Sequence, residues 1–235
     1  MNNGPSDSPT ESYIDTIYNP MTRPLTSYPE KLGRYLAQRY SINPGSTFLD
    51  IGSGRAEVLN SLTSRGVVGY AVDKSPQAAK YCINADFSLC NLESQALPFE
   101  DSSFDFVYSK SVIEHFHSPE LVIQEAYRVL KPGGLLITLC PSWEYNVVTF
   151  FEDFTHRTPF TKASLADIQS IYGFVNVECE YFRQLVPTWY KIRHFASFAA
   201  DVTRVLAPSS LKIFKWVRFS KEIMLLSTSH KPFLI

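Results

Sequence analysis

Apolar positions along the chain follow two alternating rhythms. The runs TFLDI (47–51), VVGYAV (67–72), a weak ADFSLC (85–90), FDFVYS (104–109) and GLLITLC (134–140) are short and rich in β-branched and aromatic residues, which predicts strands. The stretches between them carry helical spacing. SYPEKLGRYLAQRY (27–40) places Leu32, Tyr35, Leu36 and Tyr40 on one stripe and predicts a helix at the sheet edge. SPELVIQEAYRVLKPGG (118–134) opens on Ser118-Pro119-Glu120 and closes on Pro132-Gly133-Gly134, which predicts a helix of about three turns. Strands alternating with helices imply a parallel sheet.

Beyond residue 140 the pattern changes. PSWEYNVVTFFEDFTHRTPFT (141–161) is aromatic and irregular, KASLADIQSIYG (162–173) predicts a helix ending at Gly173, and FVNVECEYF (174–182) alternates like a strand. Residues 183–220 read as an interruption of two helices, after which KEIMLLSTSHK (221–231) returns to strand-like alternation.

Composition narrows the class without naming it. With 235 residues and 45% hydrophobic content the chain can bury one sizeable core. A net charge of -1 gives no global field toward nucleic acid. Cys82, Cys90, Cys140 and Cys179 are widely spaced with no C-x-x-C pair, so reduced thiols are expected and no metal site. MNNGPSDSPTES does not resemble a secretory leader, and no stretch reaches the roughly 20 apolar residues of a spanning helix. A cytoplasmic chain is expected, with a flexible tail over residues 1–26 and a single domain over 27–235.

In an open parallel sheet, ligands sit beyond the carboxyl ends of the strands, here at Asp50-Ile51-Gly52-Ser53-Gly54. A dinucleotide fingerprint G-x-G-x-x-G would put its third glycine where Glu57 stands, and a carboxylate there repels a pyrophosphate. Glycines at 52 and 54 let a ligand approach the backbone, and the following helix can receive a small anion such as a carboxylate. Asp50 suits a cationic group, so the pair fits an amino acid moiety. Asp73 follows Gly52 by 21 residues, the distance at which an acid accepts hydrogen bonds from both ribose hydroxyls. Its other reading is a cap on the helix that starts at Ser75.

These features, with LPFEDSSFDFVYS (97–109), SVIEHF (111–116) and RVLKPGGLLIT (128–138), resemble the class I S-adenosylmethionine-dependent methyltransferases, type 11-like branch, over residues 46–140. The resemblance implies a Rossmann-like α/β fold: a mostly parallel seven-stranded sheet, its last strand antiparallel, with helices on both faces and a helical insertion before the last strand. It implies S-adenosyl-L-methionine as cofactor and S-adenosyl-L-homocysteine as product. Asp50, Gly52, Ser53 and Gly54 would hold the methionine end, Asp73 and Lys74 the ribose, and Asn91 and Leu92 the adenine, with Ser109 beside them. Asp is frequent in the family where Asn91 stands, and glycine where Ala56 stands.

Methyl transfer is an in-line displacement, and a base is needed only when the acceptor must lose a proton. The segment EDFTHRTPFT (152–161) resembles the D-x-T-H-x-x-P-F-T pattern of methyltransferases of bacterial polysaccharide and glycolipid pathways. His156 is the candidate base with Asp153 beside it; Arg157, Phe160 and Trp143 are candidates to line an acceptor site over the loop 141–162. An ordering role for His156 and Asp153 within this loop is the competing reading. Glu114 and His115 are read as structural or cofactor-side residues, and His117 as a surface residue at a helix start.

The insertion 183–220 carries Arg183, Lys191, Arg193, Arg204, Lys212, Lys215 and Arg218 against Asp201, so seven cations less one acid leave +6 on a remainder of -7. Trp189, Ile192, Ala196, Ala199, Val202 and Leu206 follow helical spacing and predict a buried face. A membrane-surface segment, a cover packed on the domain and a homodimer contact all remain open. The function expected is methyl transfer to an oxygen of a small-molecule, sugar or glycolipid acceptor; the alternative is a non-catalytic S-adenosylmethionine-binding or sensing protein.

Overall fold

Strands that are apolar on both sides need cover on both faces, and the sheet is built that way. The computed structural model describes residues 24–190, 193–208, 210–211 and 214–233, and at residue 193 the backbone alone. Its strands are β1 (Thr47–Ile51), β2 (Val68–Asp73), β3 (Ala85–Leu89), β4 (Phe104–Lys110), β5 (Leu130–Pro141), β6 (Val175–Arg183) and β7 (Ile223–His230). They form one seven-stranded sheet in the order β3-β2-β1-β4-β5-β7-β6. β1 to β5 run parallel, and β7 is antiparallel to both β5 and β6. The chain leaves β1 toward β2 and β3 and returns to place β4 on its other side, which opens a crevice at the carboxyl ends of β1 and β4.

Successive residues of one strand point to opposite faces, so Phe48 and Leu49 enter different cores. On one face Leu49, Val107 and Leu136 pack under Val122, Ile123 and Ala126 of α3 (Glu120–Val129). On the other, Phe48, Tyr108 and Ile137 lie under Leu32 and Leu36 of helix α1 (Tyr28–Tyr40) and Leu59 and Leu62 of α2 (Glu57–Thr63). As expected, α1 also reaches the β6 edge of the sheet, with Tyr35 against the Phe182 ring and Arg39 paired with Glu180. Its two leucines are fully buried, each contributing about 1.5 to 3 kcal/mol. The weak strand signal of ADFSLC has a physical reason: β3 is an edge strand whose residues are only half-buried or exposed.

KPGG proves to be part of a strand. α3 ends at Val129 and β5 starts one residue later, with a register shift against β4 at the turn of chain through Gly133. Gly133 has φ 79°, and a Cβ there would lie 2.4 Å from the Phe233 ring.

After β5 come the short helix α4 (Trp143–Asn146) and α5 (Lys162–Ile171). At the start of α5 the Thr161 hydroxyl accepts from the Ser164 amide and the Ser164 hydroxyl accepts from the Thr161 amide, which anchors the end of the irregular loop. The insertion contains α6 (Arg193–Leu206) and α7 (Lys215–Lys221). Its apolar face differs from the expected one. Trp189 lies in a separate 3₁₀ turn, its ring between Tyr35 and Phe182 and its N–H donated to the Arg183 carbonyl. α6 buries Ala196 and Ala200, while Phe195, Phe198, Val205 and Leu206 are 77%, 67%, 70% and 74% exposed. Ile192, Lys191, Lys212 and the expected tail up to residue 23 lie outside the described residues.

Candidate functional site

The crevice begins with the turn after β1. Gly52 and Gly54 adopt φ 68° and 51°, where glycine is free of the Cβ penalty. Beside Gly52 a Cβ would meet Val112 at 2.4 Å; beside Gly54 there is open space, with nothing within 4 Å. Ala56 takes the same left-handed conformation, φ 48°, at the start of α2, so the turn keeps its shape without a third glycine. Glu57 is paired with Arg55 at 3.0 Å.

Asp73 holds this turn to the next one. Its Oδ2 accepts from the Gly54 amide at 2.9 Å and its Oδ1 from the Ser75 amide at 2.8 Å. These bonds tie the two turns together rather than cap the helix, whose N-cap is Ser75 with no side-chain cap bond, and they do not exhaust the carboxylate, because about four acceptor positions leave room for two donors more. Burial raises the Asp73 pKa, against the pull of both amides.

A cavity of ≈ 300 Å³ opens over these groups. Gly52, Gly54, Asp73, Lys74, Asn91 and Leu92 are on its wall, so six of the nine expected cofactor residues converge there. Asp50, Ser53 and Ser109 are off that wall. Asp50 is buried beneath the turn, and burial, with the neighbouring charge of Asp73, pushes its pKa up to about 8. Ser109 is buried within β4. Asn91 accepts the Glu93 amide at its Oδ1, which orders the turn after β3.

A second cavity of ≈ 370 Å³ adjoins the first, and Ser111, His115 and Phe154 line both. Glu114, Asp153 and His156 face the second one. The chain brings them together through backbone bonds: the Arg157 and Thr158 amides both donate to the Glu114 carbonyl, at 2.7 and 3.0 Å. The Thr158 hydroxyl donates to the Phe116 carbonyl at 2.8 Å. SVIEHF and EDFTHRTPFT, separated along the sequence, are thereby one structure.

Each histidine is oriented by its Nδ1. His156 Nδ1 is 2.6 Å from the Phe150 carbonyl, which only accepts, so this nitrogen carries the proton and Nε2 keeps its lone pair. His115 Nδ1 is 2.9 Å from the Thr155 hydroxyl, which itself donates to Asp153 Oδ1 at 2.6 Å. That direction leaves the hydroxyl free to accept from His115 Nδ1–H. The two rings meet edge to face at 4.8 Å. Burial, then the neighbouring His156, lower the His115 pKa to about 4, so His115 is neutral at pH 7.

Glu114 is 1% exposed, and among the described residues neither carboxylate oxygen has a partner of normal hydrogen-bond geometry. Burial pushes its pKa up to about 8; the nearby amides of Glu114 and Val112 and the charge of Lys110 offset this only in part. The sequence block SVIEHF signalled this residue, but its exposure to the second cavity follows from the docking of the 152–161 loop, which no local pattern reveals.

The three expected acceptor residues are placed elsewhere. Arg157 is exposed and donates to the Phe154 and His156 carbonyls. Trp143 packs edge to face on Phe150 and Phe151. Phe160 is 3% exposed in the core with Leu165. None of the three lines either cavity.

Residues 49–138 match the family described as "Methyltransferase domain". Over 117 residues the chain is 35% identical to the sterol 24-C-methyltransferase erg6 of Schizosaccharomyces pombe, covering 43% of this chain and 29% of that protein. It spans less than half the length of the curated relatives it matches first. Among solved structures, a chain of the Haloferax volcanii complex between the Trm112 methyltransferase activator and a methyltransferase superposes with TM-score 0.70 at 19% identity, covering 97% of this chain and 100% of that one. The phosphoethanolamine N-methyltransferase 2 of Haemonchus contortus, solved with phosphomonomethylethanolamine and S-adenosylhomocysteine, gives 0.63 at 18%, covering 97% of this chain and 61% of that one. Residues 49–138 thus match the methyltransferase domain family, and the chain has the fold of the S-adenosylmethionine-dependent methyltransferases. The left-handed glycine turn, the open space beside Gly54 and the Asp73 carboxylate fit the amino acid and ribose of S-adenosylmethionine.

Proposed function

We propose that the chain transfers a methyl group from S-adenosylmethionine to an oxygen of a polar small-molecule, sugar or glycolipid acceptor seated in the second cavity. The observation that carries this reading is the junction of the two cavities, where His115 stands on the shared wall and Glu114 and His156 stand close to it on the wall of the second. The named relatives methylate carbon and nitrogen by their names, so the oxygen acceptor rests on this chain's own residues. An alkene needs an apolar seat; the second cavity offers Glu114, Asp153, His156, Gln184 and Arg218.

Bound S-adenosylmethionine supplies a methyl group on a sulfonium, poised for in-line displacement. Gly52 and Gly54 admit the methionine end, Asp73 and Lys74 the ribose, and Asn91 and Leu92 the adenine. His156, held by the Phe150 carbonyl, takes the acceptor hydroxyl proton at Nε2. Asp153 orients His115 through Thr155. The loop 141–162 forms the acceptor side; Arg157, Trp143 and Phe160 support it from outside the cavity.

A lipid-linked acceptor is supported by α6, whose outer face presents Phe195, Phe198, Val205 and Leu206 to solvent. The charge of the insertion is less separated than its composition implies: Arg183 and Arg204 meet Asp201, and Arg218 meets Glu222 just beyond it. No helix among the described residues is long and apolar enough to cross a membrane, which fits peripheral contact from the cytoplasmic side. A second copy of the chain on the same face is the competing occupant.

The test is His156→Ala. The rate falls by about 10² to 10⁴ with cofactor affinity near wild type if His156 removes the proton. A loss under about threefold excludes it as the base. Cofactor binding without transfer to any hydroxylated acceptor pool leaves the non-catalytic sensing alternative.

A further inference from the structure

The three side chains at the junction of the cavities make a donor set as well as a proton path. One ligand atom each from Glu114, His115 and His156 lie within 4.8 Å of one another. We infer that these residues bind a divalent first-row metal cation, such as Zn²⁺ or Mn²⁺, on the wall of the second cavity.

Three independent features support the site. The first is Glu114. A buried carboxylate is ordinarily paired or coordinates a metal, and this one has no partner of normal geometry among the described residues. It faces a cavity large enough for a cation and further ligands. The second is the orientation of the rings. Metal-binding histidines donate their other ring N–H to a backbone carbonyl or to a hydrogen-bonded carboxylate system, which fixes the tautomer. His156 does so to the Phe150 carbonyl, and His115 does so to Thr155, which is tied to Asp153. Nε2 of each ring is left with its lone pair. The third is the ligand chemistry: two imidazoles and one carboxylate suit Zn²⁺, Mn²⁺ or Fe²⁺ better than the all-oxygen shells of Ca²⁺ or Mg²⁺.

Ligands at about 2.1 Å from one ion are about 3.4 Å apart in tetrahedral geometry, so the widest pair must close by about 1.4 Å. Rotation of the Glu114 side chain, whose carboxylate is held by no hydrogen bond of normal geometry among the described residues, would supply this. The charges facing the group are mixed: Asp153 acts on Glu114 and both histidines, while Lys110 acts on Glu114 and Lys74 on His115. The cation would neutralise the acidic pair.

Three protein ligands leave positions for an acceptor oxygen. In the loaded protein the acceptor O–H, polarised by the cation, would lose its proton to water of the open cavity, and the oxygen would then take the methyl group. His156 would act as ligand in that state and as base without the ion. The binding site itself rests only on the three side chains; its use rests on the proposed methyl transfer.

The experiment begins with the 235-residue chain stripped by chelation and dialysed, then titrated with Zn²⁺, Mn²⁺ and Co²⁺ by calorimetry, with the visible absorption of Co²⁺ recorded. One equivalent per chain is expected. Glu114→Gln and His156→Gln should each weaken it by more than about 100-fold, since even outer partners are worth 10- to 100-fold. S-adenosylhomocysteine binding by both variants reports that they are folded. Absence of saturable binding in the wild type, or affinity unchanged in both folded variants, overturns the inference. Metal binding without methyl transfer would sink the proposed reaction alone; transfer at an unchanged rate in excess chelator, with no metal bound, would sink the cation's part in the reaction and leave the binding site to the titrations.

Discussion

Replacing Asp73 with alanine should damage two things at once. In the folded chain its carboxylate accepts the Gly54 and Ser75 amides at 2.9 and 2.8 Å, clipping the turn after β1 to the turn after β2. Hydrogen bonds to a charged group contribute about 1.5 to 3 kcal/mol each, and water can reach this half-buried site to replace part of them, so Asp73→Ala should cost about 2 to 4 kcal/mol of stability. The ribose loses its acceptor as well, which weakens cofactor binding by a further 1 to 3 kcal/mol, roughly 5- to 150-fold. Asp73→Asn should recover little, because its single carbonyl can serve one amide while its NH₂ opposes the other. Urea unfolding gives the first quantity as a lower midpoint at unchanged slope, and calorimetry with S-adenosylhomocysteine at a temperature where the variant is folded gives the second. Lower stability with wild-type affinity would reduce Asp73 to a clip. No change in either would refute the reasoning.

Asp50 has a folded pKa of about 8 against an ordinary 3.8, so between about pH 4 and 8 the folded chain binds a proton that the unfolded chain has lost. Stability should therefore fall as pH rises through that window, by up to about 1.4 kcal/mol per unit for this group, and Asp50→Asn should flatten the curve by that amount; parallel curves for the two proteins would contradict the burial argument. The α6 face predicts sedimentation with anionic vesicles that declines in Phe195→Ser/Phe198→Ser by tenfold or more, since each buried phenylalanine contributes about 1.5 to 3 kcal/mol. Wild-type chain that ignores vesicles and sediments as a dimer would assign the face to a second copy.

The strands and most helices were legible because each carries its own periodicity: TFLDI is buried on both sides, and α1 shows its leucine stripe. KPGG misleads because helix-stopping residues also open a strand when no connection intervenes. The glycine turn after β1 was readable as a local block, whereas the left-handed backbone of Ala56 was not, because a residue with a Cβ rarely adopts it. Glu114 beside His156 was not, since their meeting depends on bonds between segments about 40 residues apart. Phe160 and Trp143 look like pocket aromatics in sequence, yet the core claims the first and Phe150 and Phe151 the second. On α6, spacing identified an amphipathic helix, but the small residues Ala196 and Ala200 face inward and the large ones outward.

The central claim is that the cavity over Gly54 and Asp73 takes S-adenosylmethionine, and parallel calorimetric titrations of unmodified chain with S-adenosylhomocysteine and with NAD test it directly. Saturable binding of one equivalent of S-adenosylhomocysteine, with no measurable heat from NAD, is the predicted result. A micromolar NAD complex, or no binding of S-adenosylhomocysteine, would contradict it.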